Sequence, residues 1–129
     1  MNSQVNPPVT RHRILIADDN EMIREAIGSV LGMKGYDVLE CEDGAQAIEI
    51  LSTEHIDFMI LDLQMPNVTG YKVLEWLSKQ TLSLGVVVCT GTIVDADVLE
   101  TLGVMVFQKP FRMRALLDEI SAALATTAV

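Results

Sequence analysis

The sequence predicts an α/β protein: a (βα)5 chain folded as a doubly wound, five-stranded parallel sheet. Three observations carry this expectation. Short apolar runs recur at Ile14–Ala17, Phe58–Leu61, Val86–Cys89 and Val104–Phe107, without the polar alternation of a sheet that has one wet face. Between them lie segments whose apolar residues return at helical spacing. The same four runs lead into polar residues, namely Asp18 with Asp19, Asp62, Thr90 and Lys109.

Taken in order, a strand at 13–17 precedes a helix near 20–33, marked by Ile23, Ile27, Val30 and Leu31 and left at Gly35. Tyr36–Glu40 reads as the second strand, and Asp43 as the N-cap of a helix carrying Ala47, Ile48 and Leu51. The third strand, 57–61, runs into Asp62 and the loop Leu63–Thr69. Gly70 then opens a helix to about Lys79, with Val73, Leu74 and Leu77 on one face. Gly85–Cys89 is the fourth strand, followed by a short helix near 95–102 and a fifth strand at 104–108. The last helix, from about Arg112 to Ala123, carries the stripe Leu116, Leu117, Ile120 and Leu124. Residues 1–11 are expected to form a flexible polar lead and 12–126 the folded unit, which leaves no room for an output domain within this sequence.

At 129 residues the chain is one domain by size, and large enough to bury a core. Half of it is hydrophobic but only 5% aromatic, so aliphatic side chains and Met must fill that core. A formal charge of −9 argues against direct nucleic-acid binding, which needs a positive footprint. No apolar run approaches the ~18 residues of a membrane span, and the start has no signal-peptide pattern. Cys41 and Cys89 lack metal-site spacing and read as buried, reduced thiols of a cytoplasmic protein. His12 and His55 show no matched ligand partners.

Chemistry is expected at the carboxyl ends of the strands, which line one edge of an open parallel sheet. Asp18-Asp19-Asn20 could do no more than cap a helix. A third acid, Asp62, changes that balance, because carboxylates gathered at one edge repel each other without a cation. Oxygen donors of this kind suit Mg²⁺ or Mn²⁺. An acid after four apolar residues is costly unless compensated, and Lys109, arriving from the fifth strand before Pro110, can compensate Asp62. Thr90 offers a hydroxyl to a phosphoryl oxygen, and Gly91 beside it permits close backbone approach.

These residues lie in stretches that resemble the receiver domain of two-component response regulators over residues 12–126. The stretches are Ile16-Ala17-Asp18-Asp19-Asn20, Ile60-Leu61-Asp62-Leu63-Gln64-Met65-Pro66, Gly70, Val88-Cys89-Thr90-Gly91 and Gln108-Lys109-Pro110-Phe111. Any one of them is weak; the five in order are specific. The resemblance implies a flavodoxin-like receiver fold with Asp62 as phosphoacceptor. It implies Mg²⁺, with Mn²⁺ as a substitute, on Asp19, Asp62 and the backbone carbonyl of Gln64, with Asp18 acting through metal-bound water. Thr90 would be the switch hydroxyl, Lys109 the partner of the phosphoryl group, and the Lys109–Pro110 bond cis. The implied function is phosphorelay signalling rather than enzyme turnover, beyond self-catalysed phosphotransfer and dephosphorylation. The implied partners are a histidine kinase or histidine phosphotransfer protein and an unnamed downstream protein. No membrane partner is expected, and the resemblance implies a monomer or a phosphorylation-linked dimer of the stand-alone receiver type.

Two features depart from the family. Where it carries Tyr or Phe three residues before the lysine, this chain has Val106; Phe107 falls one residue later, on the other face of the strand. The segment from Thr90 to Lys109 is also slightly short. Either a working receiver tolerates both changes, or the usual threonine–aromatic coupling is absent and partners read another surface. Two alternatives stand beside the receiver. One is a degenerate receiver acting as a phosphorylation-independent interaction module. The other is an aspartyl-nucleophile phosphohydrolase, which needs an acid two residues after the nucleophile, where this chain has Gln64.

Overall fold

The computed structural model describes residues 11–91, 99 and 103–125. Five strands form one sheet: β1 (Arg13–Ala17), β2 (Asp37–Cys41), β3 (Phe58–Leu61), β4 (Gly85–Thr90) and β5 (Met105–Gln108). Their spatial order is β2-β1-β3-β4-β5, and every neighbouring pair is parallel. Four helices accompany them: α1 (Glu21–Met33), α2 (Gly44–Thr53), α3 (Gly70–Ser78) and α4 (Met113–Ala125). The sequence-predicted elements are all recovered within a residue or two, except the short helix near 95–102, which falls almost wholly outside the described residues. Most of the N-terminal lead lies outside them too.

Strand alternation divides the core into two layers. Leu15, Ala17, Met59, Leu61 and Val88 face one way and pack with Ala47 and Leu51 of α2 and Val73 and Leu74 of α3. Ile14, Ile16, Ile60, Val87 and Cys89 face the other way, against Ile27 and Leu31 of α1 and Leu116, Ile120 and Leu124 of α4. Both faces are dry, which is why the strands read as apolar runs. Truncating one of these side chains, such as Ile16→Ala, would cost about 2–5 kcal/mol. Leu117, expected in the buried stripe of the last helix, is half-buried at its edge.

Helices α1, α2 and α3 each start on a sequence-encoded cap. Asn20 accepts from the Ile23 amide, Asp43 from Gln46 and Thr69 from Lys72. The exit from α1 uses Gly35 at φ +93°, a left-handed conformation that side chains with a Cβ rarely adopt. Cys41 and Cys89 are buried free thiols, and burial pushes both up to about 12.

The sheet order reverses between β1 and β3. Chains leaving these adjacent strands turn to opposite faces, which opens a crevice at their carboxyl ends. Asp18 and Asp19 leave β1 there, and Asp62 leaves β3.

Candidate functional site

The cap on Asn20 settles one alternative left open by the sequence. Because Asn20 takes the helix amide at 3.1 Å, neither Asp18 nor Asp19 is needed as the N-cap. Asp18 instead turns into the crevice. Its amide donates to the Cys41 carbonyl (3.1 Å), its Oδ1 accepts from the Asn20 amide (2.9 Å) and its Oδ2 accepts from Lys109 Nζ (2.7 Å). Asp18 is buried, whereas Asp19 is exposed.

Asp62 is the buried acid of β3. Its amide donates to the Ala17 carbonyl (2.9 Å), continuing the β1–β3 ladder one residue past the strand. The Gln64 amide donates to Asp62 Oδ1 (3.2 Å), which sets the Gln64 main chain beside the acid, and Lys109 Nζ reaches Oδ2 at 3.3 Å. The loop is held from below by Leu63 and Met65 in the core, while Gln64 and Pro66 face outward. Gly70 matters for packing as well as chain direction: a Cβ there would stand 2.2 Å from the Asp62 carbonyl oxygen. Only glycine lets α3 start this close to the acid.

Thr90 is fully buried at the end of β4, and its carbonyl accepts from the Lys109 amide at 2.8 Å. That bond carries the β4–β5 register to Lys109, which precedes a cis bond to Pro110. A Cβ on Gly91 would meet nothing among the described residues.

Lys109 bridges Asp18 and Asp62, and it lies nearer Asp18. The sequence pairs it with Asp62 alone, since nothing local shows that the β1 loop turns Asp18 inward. Burial works against the lysine's charge, but the hydrogen bond and charge of Asp18, then of Asp62, outweigh it and hold its pKa above the ordinary lysine value. Asp62 is pushed up, first by burial and then by the Asp18 charge; the Gln64 amide and Lys109 oppose that shift without cancelling it.

Asp18, Asp19 and Asp62 each place a carboxylate oxygen within 4.8 Å of the others. Hard oxygen donors this close, two of them buried, fit a small divalent cation such as Mg²⁺, which takes oxygen ligands. One lysine bridging two of three acids leaves negative charge for such a cation to offset.

Three features of the structure are not marked in the sequence. Arg24 reaches back from α1 to the Asp18 carbonyl (Nη1 to O, 2.7 Å); its only sequence signal is its place one turn after the cap, where helical side chains lean toward the N-terminus. The Asp62 loop is tied to α2, with Asn67 Nδ2 donating to Asp43 Oδ2 (3.2 Å) and the Gly44 amide to the Val68 carbonyl (2.9 Å). Asn67 has φ +64°, a conformation asparagine tolerates, and that is a weak cue to a turn. The two histidines, which show no matched ligand partners in the sequence, flank one carboxylate at the opposite end of the strands: His55 Nε2 is 2.8 Å and His12 Nδ1 3.7 Å from Asp57.

Val106 and Phe107 diverge as strand alternation requires. Val106 packs on the α2–α3 layer, whereas Phe107 joins the α1–α4 layer and meets Phe111 edge-on, 6.0 Å between centroids at 61°.

Comparison with known proteins agrees with this geometry. The chain is 38% identical over 87 residues to Sensor protein EvgS of Escherichia coli O157:H7, covering 65% of this chain and 7% of that protein. It is 42% identical over 67 residues to Response regulator RR06 of Streptococcus pneumoniae serotype 2, covering 52% of this chain and 31% of that one. It therefore spans less than a third of the length of these relatives. A response regulator receiver domain protein (CheY-like) from Methanospirillum hungatei JF-1 superposes with a TM-score of 0.84 at 23% identity, over 91% of this chain and 96% of that one. The chemotaxis response regulator CheY4 of Vibrio cholerae superposes with a TM-score of 0.79 at 24% identity, over 88% and 99%. These structures share the fold. No helix among the described residues is long and apolar enough to cross a membrane. With an acidic crevice at the β1–β3 switch point and the response regulator receiver domain model matching residues 14–121, the chain belongs to the response regulator receiver family of two-component signalling.

Proposed function

We propose that Asp62 accepts a phosphoryl group from a phosphohistidine on a histidine kinase or phosphotransfer protein, and that the acyl phosphate is the signal. One observation carries this reading: a buried carboxylate, raised in pKa, sits between a lysine and two further acids at the sheet's switch point. Asp18, Asp19, Asp62 and the Gln64 carbonyl would hold Mg²⁺ or Mn²⁺, which when bound supplies positive charge to the transferring oxygens.

The protein's own groups do the rest. Burial strips water from the Asp62 carboxylate and makes it a better nucleophile, while Lys109 keeps it charged. Lys109 Nζ, already beside Asp62 Oδ2, is placed to follow the charge as it moves onto the phosphoryl oxygens. The new phosphoryl group then offers the Thr90 hydroxyl and Lys109 contacts that the free acid lacks. Only such differential contacts can shift a conformational equilibrium.

A protein donor is supported by a recess of about 390 Å³ beside Lys109, lined by Ile23, Ala26, Ile27, Pro110, Phe111 and Met113. We place the chemistry in residues 12–126 and in the cytoplasm, in keeping with two free, buried thiols. The charge of −9 favours a protein target over nucleic acid.

Incubation with acetyl phosphate and Mg²⁺, read by intact mass, tests the reading. The wild type should carry a phosphoryl adduct that Asp62→Asn lacks; an adduct equal in both would overturn the assignment. The second reading, a phosphorylation-independent interaction module, rests on Val106 in place of the usual aromatic. It predicts partner binding that Asp62→Asn leaves unchanged. A phosphohydrolase is disfavoured, because the Gln64 side chain cannot serve as a general acid.

A further inference from the structure

We infer that Arg24 is a positioning residue of the acidic site, holding the β1–α1 main chain so that Asp18 and Asp19 meet Asp62. This rests on the reading that the three acids bind a divalent cation. The Asp18 carbonyl lies one residue past the end of β1, so it has no place in the strand ladder. A buried carbonyl of this kind needs a donor, and Arg24 Nη1 provides one at 2.7 Å. With its amide on Cys41 and its carboxylate on Asn20 and Lys109, Asp18 is fixed at every polar group.

Arg24 is itself held. Its Nε stands 3.5 Å from Glu40 Oε1, and the Arg24 side chain is only 14% exposed. Glu40 lies on β2 opposite Ile16, one residue short of the strand end, and its side chain passes α1 at Gly28. A Cβ on Gly28 would stand 3.2 Å from Glu40 Oε2, so this glycine leaves the room the anchor uses. The chain of contacts runs from Glu40 to Arg24 to the Asp18 main chain.

The arrangement separates two jobs that one cation could not do together. Lys109 touches the carboxylates and competes with a metal for them. Arg24 satisfies the backbone and pairs with Glu40, so it orders the loop without occupying a ligand oxygen. Its rigid fork of donors suits this, since one face binds the carbonyl while another meets the acid.

Mn²⁺ binding measured by electron paramagnetic resonance tests this directly, on the full chain and without phosphotransfer. Arg24→Ala should weaken Mn²⁺ binding roughly tenfold, as loss of an outer partner of a metal ligand does. Arg24→Lys should recover part of that loss, and Glu40→Ala should weaken binding in the same direction. Phosphorylation by acetyl phosphate should need more Mg²⁺ in Arg24→Ala, yet approach the wild-type rate at saturation. A lowered melting temperature with unchanged Mn²⁺ affinity would overturn the inference and leave Arg24 a packing residue. Should Arg24→Ala fail to fold, wild-type affinity in both Arg24→Lys and Glu40→Ala overturns it equally. Absence of Mn²⁺ binding by the wild type would instead remove the cation reading itself, and this inference with it.

Discussion

Lys109 Nζ lies 2.7 Å from Asp18 Oδ2, closer than its 3.3 Å approach to Asp62, so the lysine is held chiefly by the acid of another strand. Asp62 therefore keeps only part of a cation's compensation while it is buried. Burial first, and then the Asp18 charge, raise its pKa, and Lys109 does not cancel them.

The consequence for stability has a definite sign. An acid whose folded pKa is raised binds protons more tightly folded than unfolded. Its favourable contribution is full below the unfolded value, near 3.8, and is lost as pH rises through the folded pKa. Asp62→Asn should therefore stabilise the cation-free protein at neutral pH. Urea melts from pH 3.5 upward should show the gain vanishing toward the acid end.

Asp57, at the other end of the strands, should behave in the opposite sense. Burial pushes it up, but the Arg13 amide, then His55 and His12, hold its carboxyl below the usual value of 3.8. Its contribution is present above that value and lost as pH falls through the folded pKa. Asp57→Asn should lower stability at neutral pH and flatten the acid limb of the same melts.

Asp19 separates the cation from the fold. It is exposed, so Asp19→Asn should leave the melting temperature in EDTA within about a degree of wild type. Millimolar Mg²⁺ should then raise the wild-type melting temperature and leave Asp19→Asn nearly unmoved, because only a ligand that binds the folded state stabilises it. Calorimetric scans with and without Mg²⁺ read both outcomes.

Gly70→Ala should be severe. The added methyl would overlap the Asp62 carbonyl and the Leu63 Cα, which are backbone and cannot rotate away. A loss of ~3 kcal/mol or more is expected in denaturant melts, at the upper end of overpacking effects. Asp62 phosphorylation should slow as well, because any shift of α3 moves the acceptor loop.

Phe107 should not report phosphorylation. It packs edge-on to Phe111 in the α1–α4 layer, on the face opposite Val106. In NMR spectra with and without a phosphoryl mimic, shifts should spread along β4 and Lys109 and leave the Phe107 ring unchanged. A ring reorientation at Phe107 would show that the relay has moved one residue along the strand.

Much of this protein was readable from its residues in order. A parallel strand covered on both faces must be apolar throughout, so Ile14–Ala17 and Phe58–Leu61 announce themselves, and the first polar residue after each marks the sheet edge. Helix caps depend on the next few residues, so Asp43 was legible as well. The crevice needed only the rule that such edges collect ligands where strand order reverses.

What needed the fold was every decision between residues far apart in the chain. Lys109's preference for Asp18, Arg24's bond to the Asp18 carbonyl, the Asn67–Asp43 tie and the two histidines around Asp57 all depend on side-chain direction across neighbouring elements. Periodicity says which face a residue occupies, not which of two acids a lysine will reach. Local sequence specified the groups and their edge; packing of β1, β3 and β5 side by side specified the pairings, because electrostatic and hydrogen-bond choices are made through space.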